Sequence, residues 1–169
     1  MAVSAKMLKG LNEQISNELN ASHRYMAMSY SFDGRGLKVL SKFFANQSEE
    51  ERQHALKIAQ YVTDVDGTVV FGSLDQPKAD YKSAKEIVQD ALKGEEEVTA
   101  QIHALMGQAE KESDYSTRRM LDWFVEEQVE EVATMRELLQ LVKMAGESNL
   151  IALENRLADK MAAAKPEED

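Results

Sequence analysis

Six residues with metal-binding side chains, Glu18, Glu51, His54, Glu95, Gln128 and Glu131, occupy positions where the surrounding pattern calls for an apolar residue. Carboxylate, amide and imidazole groups together suit iron, manganese or zinc. The chain has no cysteine, which removes disulfides, iron–sulfur ligation and thiolate zinc sites. Any metal must therefore be held by oxygen and imidazole.

Four stretches set those six residues in register. Each alternates three- and four-residue steps, the spacing that keeps side chains on one face of a helix. The first runs Leu8, Leu11, Ile15, Glu18, Ser22, Tyr25, Ser29, Phe32, and the second Leu37, Leu40, Phe44, Gln47, Glu51, His54, Ile58, Tyr61, Val65. The third runs Val88, Ala91, Glu95, Val98, Ile102, Leu105, Ala109, and the fourth Leu121, Phe124, Gln128, Glu131, Met135, Leu138, Val142, Ala145. No lysine or arginine falls on any of these seams.

With 169 residues, 43% of them hydrophobic, the chain is long enough for one domain with a real core. Its 2 prolines and 8 glycines, beside runs rich in Ala, Leu, Glu, Lys and Met, favour helix over sheet. The expected fold is all-α: an antiparallel four-helix bundle with a long crossover between the second and third helices and a short fifth helix. The turn Asp33-Gly34-Arg35-Gly36 closes a first hairpin, and a short connection around Glu112 to Tyr115 closes a second. The irregular segment from Thr63 to Asp80 is the crossover. Ser83 with Glu86 marks a helix start, and Gly146 marks a helix end. Ser148 or Asn149 can cap a fifth helix whose apolar side is Leu150, Leu153, Leu157 and Met161, serving either assembly or packing on its own bundle. Residues 1–162 are read as one domain and 163–169 as a disordered acidic tail.

The net charge of -10 argues against nucleic acid or an anionic membrane as a partner and suits attraction of cations. No stretch approaches the ~18 apolar residues of a membrane span, and the opening segment has no signal-peptide pattern. A cytoplasmic location is expected.

In an antiparallel hairpin, residues equidistant from the turn lie at one height. Glu18 and Glu51 are equidistant from a turn centred between Gly34 and Arg35, while Glu95 and Glu131 match to within one residue about Ser113-Asp114, or ~1.5 Å of rise. Stacking the hairpins brings the four carboxylates into one layer, with His54 one turn from Glu51. A single buried polar residue in a bundle often only sets register. Four carboxylates are another matter, because each costs several kcal/mol to desolvate unpaired and a domain has only ~5 to 15 kcal/mol of net stability. They must be protonated or bound to cations, and four negative charges balance two divalent ions.

Di-iron carboxylate bundles take one Glu from each of two helices and a Glu-x-x-His from each of the other two. Here Glu18 and Glu95 are the single glutamates, and Glu51-Arg52-Gln53-His54 is one complete Glu-x-x-His. The fourth helix departs, with Glu127-Gln128-Val129-Glu130-Glu131 and no histidine. Glu18 with Tyr25, the run Glu50-Glu51-Arg52-Gln53-His54, Glu95, Trp123 and the fourth-helix run together resemble the non-haem ferritins of bacteria and archaea. The resemblance spans almost the whole chain. Bacterioferritins fit less well, since they carry a second Glu-x-x-His and a haem-binding methionine where this chain has Glu130 and Arg52. No haem is expected.

The resemblance implies a ferroxidase centre, with Glu18, Glu51 and His54 on one iron and Glu51, Glu95 and Glu131 on or near the other. Glu51 would bridge, Gln128 would be a weak or outer ligand, and Tyr25 a hydrogen-bond donor or electron source. Glu50, Glu127 and Glu130, with Glu131 shared, would form a third iron position. Those three lie off the seams and could equally be ordinary solvated charge. Two adjacent Fe²⁺ ions can each give one electron to the same oxidant, O₂ or H₂O₂. The likeness further implies a 24-subunit homo-oligomeric shell that stores ferric mineral. Where many animal ferritins line three-fold channels with acidic groups, this chain has Arg118 and Arg119.

The alternative is a solitary di-iron or di-manganese oxidase or peroxidase on the same bundle, although the seams show no obvious opening of small apolar residues for an organic substrate. A structural bundle that only buffers divalent metal is a third reading. His23 and His103 fall one position off the seams and are expected on the flank or surface.

Overall fold

The computed structural model describes residues 3–163 and contains among them five α-helices and no strand. Helix α1 spans Ala5–Asp33, α2 Lys38–Asp64, α3 Ala84–Glu112, α4 Tyr115–Ala145 and α5 Leu150–Ala163, the last entered through a 3-10 turn at Glu147–Asn149. The first four form the expected antiparallel bundle. The acidic tail lies, apart from Ala163, outside the described residues, as does the side chain expected from Met161.

Local chemistry accounts for the boundaries. The Ser4 hydroxyl accepts from the Met7 N–H at 3.0 Å and opens α1. In the first hairpin turn Leu37 N–H returns to the Phe32 carbonyl at 3.1 Å, and Gly36 adopts φ 79°. That is the one glycine of the turn whose missing Cβ is needed, since Gly34 keeps a helical φ of -62°. At the second hairpin Ser113 takes φ 54°, and Asp114 caps α4 by accepting from Thr117 N–H at 3.0 Å. Ser83 caps α3 as expected, accepting from Glu86 N–H at 3.1 Å. The reciprocal contact differs: Glu86 accepts from the Lys82 N–H at 2.7 Å while its other oxygen meets the Lys78 ammonium at 2.5 Å.

The crossover, residues 65–83, is tied to α1 by side chains at helical spacing. Asn12 accepts from Val70 N–H at 2.7 Å, Ser16 from Gly72 N–H at 3.2 Å and Asn20 from Asp75 N–H at 2.7 Å. One polar stripe of α1 therefore answers the crossover's backbone donors at successive turns. The approach is close enough that a Cβ on Gly72 would stand 2.8 Å from the Ser16 Oγ.

The apolar core is in two parts. One cluster gathers Tyr25, Phe32, Phe44, Ala91 and Met135, and the other Ile15, Ala55, Val98 and Phe124. On each of α1–α4 the metal-binding seam residues fall between a member of one cluster and a member of the other. The layer expected from the interrupted heptads is thus a slab sealed by apolar packing on both sides, where water is excluded and electrostatic interactions are strengthened.

Helix α5 lays Leu150, Leu153 and Leu157 on the first of these clusters. Glu154 accepts from the Leu40 N–H at the start of α2 at 2.8 Å, and Glu147 accepts from the Ala84 and Lys85 N–H groups at the start of α3 at 3.2 and 3.3 Å. Of the two roles open to this helix in the sequence, it performs packing on its own bundle. No helix among the described residues is long and apolar enough to cross a membrane.

Candidate metal centre

No loop is needed to place the central residues, because the periodicity that buries each helix's apolar side chains also turns the polar ones inward. Glu18 and Glu51 are 0% exposed, Glu95 1%, Gln128 2%, His54 5% and Glu131 6%. No lysine or arginine is buried among the described residues.

At one end of the layer, donor atoms of Glu18 (α1), Glu51 and His54 (α2) lie within 4.8 Å of one another, with His54 Nδ1 3.4 Å from Glu51 Oε2. Glu18 Oε2, both oxygens of Glu51 and His54 Nδ1 are buried without a hydrogen-bond partner. Buried polar atoms are almost always satisfied, so these four, on three residues whose donors come within 4.8 Å of one another, define a seat for a positive charge. Burial, followed by the Glu51 carboxylate, pushes the Glu18 pKa well above the usual range. Burial and then the Glu95 carboxylate push Glu51 up as well. Without a cation, Glu18 and Glu51 can coexist by sharing a proton held on Glu18; a divalent cation displaces that proton. The residues present therefore fit a metal ion.

At the other end the carboxylate is already engaged. The Tyr25 hydroxyl donates to Glu95 Oε1, while Gln128 Nε2 lies 3.2 Å from Glu95 Oε2, 3.3 Å from the Glu95 carbonyl and 3.3 Å from Thr99 Oγ1. Tyr25 is buried, and that burial together with the Glu95 charge raises its pKa, keeping the phenol protonated as a donor. Glu131 is pushed up to about 8 by burial, then by Glu95, Glu50 and Glu127.

Glu51, Glu95 and Glu131, grouped in the sequence around a second iron, interact electrostatically across the layer. The second close donor group among the described residues, however, is His54, Glu127 and Glu131, within 4.8 Å. His54 therefore belongs to both groups. Glu50 lies beside Gln47, whose amide donates to it, and burial raises its pKa. Glu130 is exposed and joins neither group. Trp123 stands edge-on to His54 with ring centroids 5.4 Å apart, and the Lys57 ammonium sits 3.4 Å above the indole. His23 and His103 are exposed, as expected.

Two glutamines escaped the sequence reading as parts of the centre. Gln14 is 2% exposed and donates to Glu18 Oε1 at 2.8 Å; Gln47 is 6% exposed, and its Oε1 is buried without a partner. The available signal was their common spacing, each four residues before a seam glutamate and thus one turn away on the same face.

Comparison with known proteins agrees with this architecture. Residues 8–145 match the family model of the ferritin-like domain, which ends with α4 and leaves α5 outside. The chain is 37% identical over 163 residues to ferritin BfrB of Mycolicibacterium smegmatis, covering 96% of this chain and 90% of that one. It is 36% identical over 152 residues to a bacterial non-heme ferritin of Staphylococcus aureus, covering 89% and 92%. Among solved structures, an open pore ferritin from the archaeon Archaeoglobus fulgidus superposes with a TM-score of 0.90 at 32% identity, over 92% of this chain and 98% of that one. With its split core, its sealed polar layer and these relatives at matching length, the chain belongs to the ferritin family.

Proposed function

We propose that this protein stores iron and oxidises it on the way in: Fe(II) bound at the buried layer is converted to Fe(III), which is held as ferric mineral inside a 24-subunit shell. The observation that carries the reading is that Glu18, Glu51 and His54 bring donor atoms within 4.8 Å of one another while Glu18 Oε2, both Glu51 oxygens and His54 Nδ1 are buried without hydrogen-bond partners, and no lysine or arginine is buried among the described residues. On this reading residues 1–162 act as one unit in the cytoplasm, no haem takes part, and the oxidant is O₂ or H₂O₂.

Iron supplies the electrons when bound, one from each of two ions. The chain's residues do the rest. Glu18, Glu51 and His54 hold the first ion, and Glu51, with both oxygens free, reaches toward the second. Glu95 and Glu131 hold that ion, with Gln128 at the edge. Tyr25 keeps Glu95 in place and has in that carboxylate an acceptor for its own proton, should it give up an electron. Glu50, Glu127 and Glu130 with Glu131 form a third position; support is firmest for Glu127, which joins Glu131 and His54 in a close group. Carboxylates favour Fe³⁺ over Fe²⁺ and so drive oxidation, and the apolar clusters on either side keep bulk water away.

Two measurements test this. Mixing protein loaded anaerobically with two Fe²⁺ per subunit with O₂ gives a fast transient absorbance that Glu18→Ala and His54→Ala abolish; variants that oxidise iron at the parent rate overturn the reading. Twenty-four chains of 19.0 kDa make a particle of about 456 kDa. A monomer or dimer at low concentration overturns the shell.

A further inference from the structure

We infer that Gln14 is a positioning residue that makes Glu18 present a single oxygen to the first metal ion. This rests on the reading of Glu18 as a metal ligand and goes beyond it, to what holds that ligand in place. Gln14 lies one helical turn before Glu18 on α1, and its Nε2 donates to Glu18 Oε1 at 2.8 Å. The same nitrogen is 3.4 Å from Gln101 Oε1 on α3, and Gln14 Oε1 accepts from Asn17 Nδ2 at 3.2 Å. Both amide hydrogens and one lone pair are therefore engaged.

The amide cannot turn over without loss. Reversed, it would set its carbonyl oxygen against the carboxylate that cation binding leaves ionised, which only accepts. Its supports sit at an edge, where Asn17 and Gln101 line a cavity of about 310 Å³ between α1, α3 and the crossover. Gln14 thus ties the buried carboxylate to two side chains that line this cavity.

The consequence falls on coordination. With Oε1 held, only Oε2 of Glu18 is free, and it is the atom left buried without a partner. Glu18 then contributes one oxygen, leaving room at the ion for Glu51, His54 and a reacting molecule. Without the Gln14 donor, Oε1 is buried and unsatisfied, and the carboxylate gains by rotating to offer both oxygens to one ion. Outer partners of metal ligands act in this way: they fix orientation without touching the metal.

Cobalt(II) titration of the intact protein separates positioning from a structural role, because its visible absorption reports coordination number and geometry. In Gln14→Met, which keeps length and packing, the first Co²⁺ equivalent gives an altered visible band of higher coordination number and binds no more weakly than in the parent, because the second Glu18 oxygen finds its partner on the ion. Gln101→Leu, which loosens the amide without removing it, gives a smaller change in the same direction. The metal-free variants unfold a few degrees below the parent but still in one cooperative transition, so a loss of fold does not explain the effect. If Gln14→Met binds the first Co²⁺ with the parental spectrum while Glu18→Ala does not, the positioning role is wrong and the metal centre stands. If Glu18→Ala also leaves the first equivalent unchanged, both fall. Should Gln14→Met fail to fold, Gln101→Leu alone decides, and a parental spectrum in it overturns the inference.

Discussion

The two ends of the polar layer use the same side-chain types and differ in what those side chains already touch. At the Glu18–Glu51–His54 end, four donor atoms have no hydrogen-bond partner. At the Glu95 end, both carboxylate oxygens are occupied, one by Tyr25 and the other by Gln128. The first end gives up only a proton to receive a cation; the second must also release neutral donors. Burial alone does not set this difference, since Glu51 and Glu95 are 0% and 1% exposed. It comes from which neighbours offer an O–H or N–H. On the proposed reading, identical ligand chemistry is graded by hydrogen bonding into a strong first position and a weaker second.

The largest effect separates the two ends outright. Glu51→Ala removes the carboxylate proposed to serve both positions, and calorimetric titration with a divalent cation then shows a loss of affinity of at least about 100-fold for both equivalents. Glu95→Ala, by contrast, keeps the first equivalent and loses the second. Equal damage from the two substitutions would erase the comparison.

Protons give the next largest effect. A carboxyl whose pKa is raised on folding stabilises the fold fully below its unfolded value, and that contribution is lost as pH rises through the folded value. For Glu131 the window runs from 4.5 to about 8. Burial raises Glu18 and Glu51 as well, so the metal-free protein loses thermal stability as pH rises across that window, and a saturating divalent cation flattens the trend. Each proton displaced by metal makes affinity rise about tenfold per pH unit within it. A melting temperature that climbs with pH in the metal-free protein contradicts the assignment of these groups.

Tyr25→Phe sharpens the contrast more gently. It frees Glu95 Oε1, so the second cation binds about fivefold more tightly while the first is unchanged, the equivalent of one hydrogen bond of about 1 kcal/mol. The smallest effect belongs outside the layer. Glu154→Gln weakens the cap on α2 and lowers stability by about 1 kcal/mol in denaturant unfolding, with no change at either cation position. If metal affinity moved with it, α5 would be coupled to the centre.

Much of this was legible in the heptad pattern. Glu18 could be placed opposite Glu51 because a helix turns at a fixed angle per residue and an antiparallel hairpin matches heights about its turn. The same regularity marked His54, Glu95, Gln128 and Glu131. Gln14 was not legible as a partner of Glu18, because it stands beside the seam and its second support, Gln101, comes from a different helix. Gln47 was visible on its seam but not as a neighbour of Glu50, which lies off it. The stripe Asn12, Ser16, Asn20 looks like ordinary surface until the crossover lies on it, and Glu154 looks like solvated charge until the Leu40 N–H is found beside it.

By itself the sequence determined the helices, their inward faces, the acidic layer between two apolar blocks and the charge balance that calls for cations. Those follow from periodicity and desolvation, which are properties of each helix alone. Tertiary structure decided which oxygens are free and which are held, that His54 serves two groups, and that α5 rests on its own bundle. These depend on the rotation and axial offset of one helix against another to within about an ångström. Core packing sets that offset, and a hydrogen bond is the interaction short enough to register it.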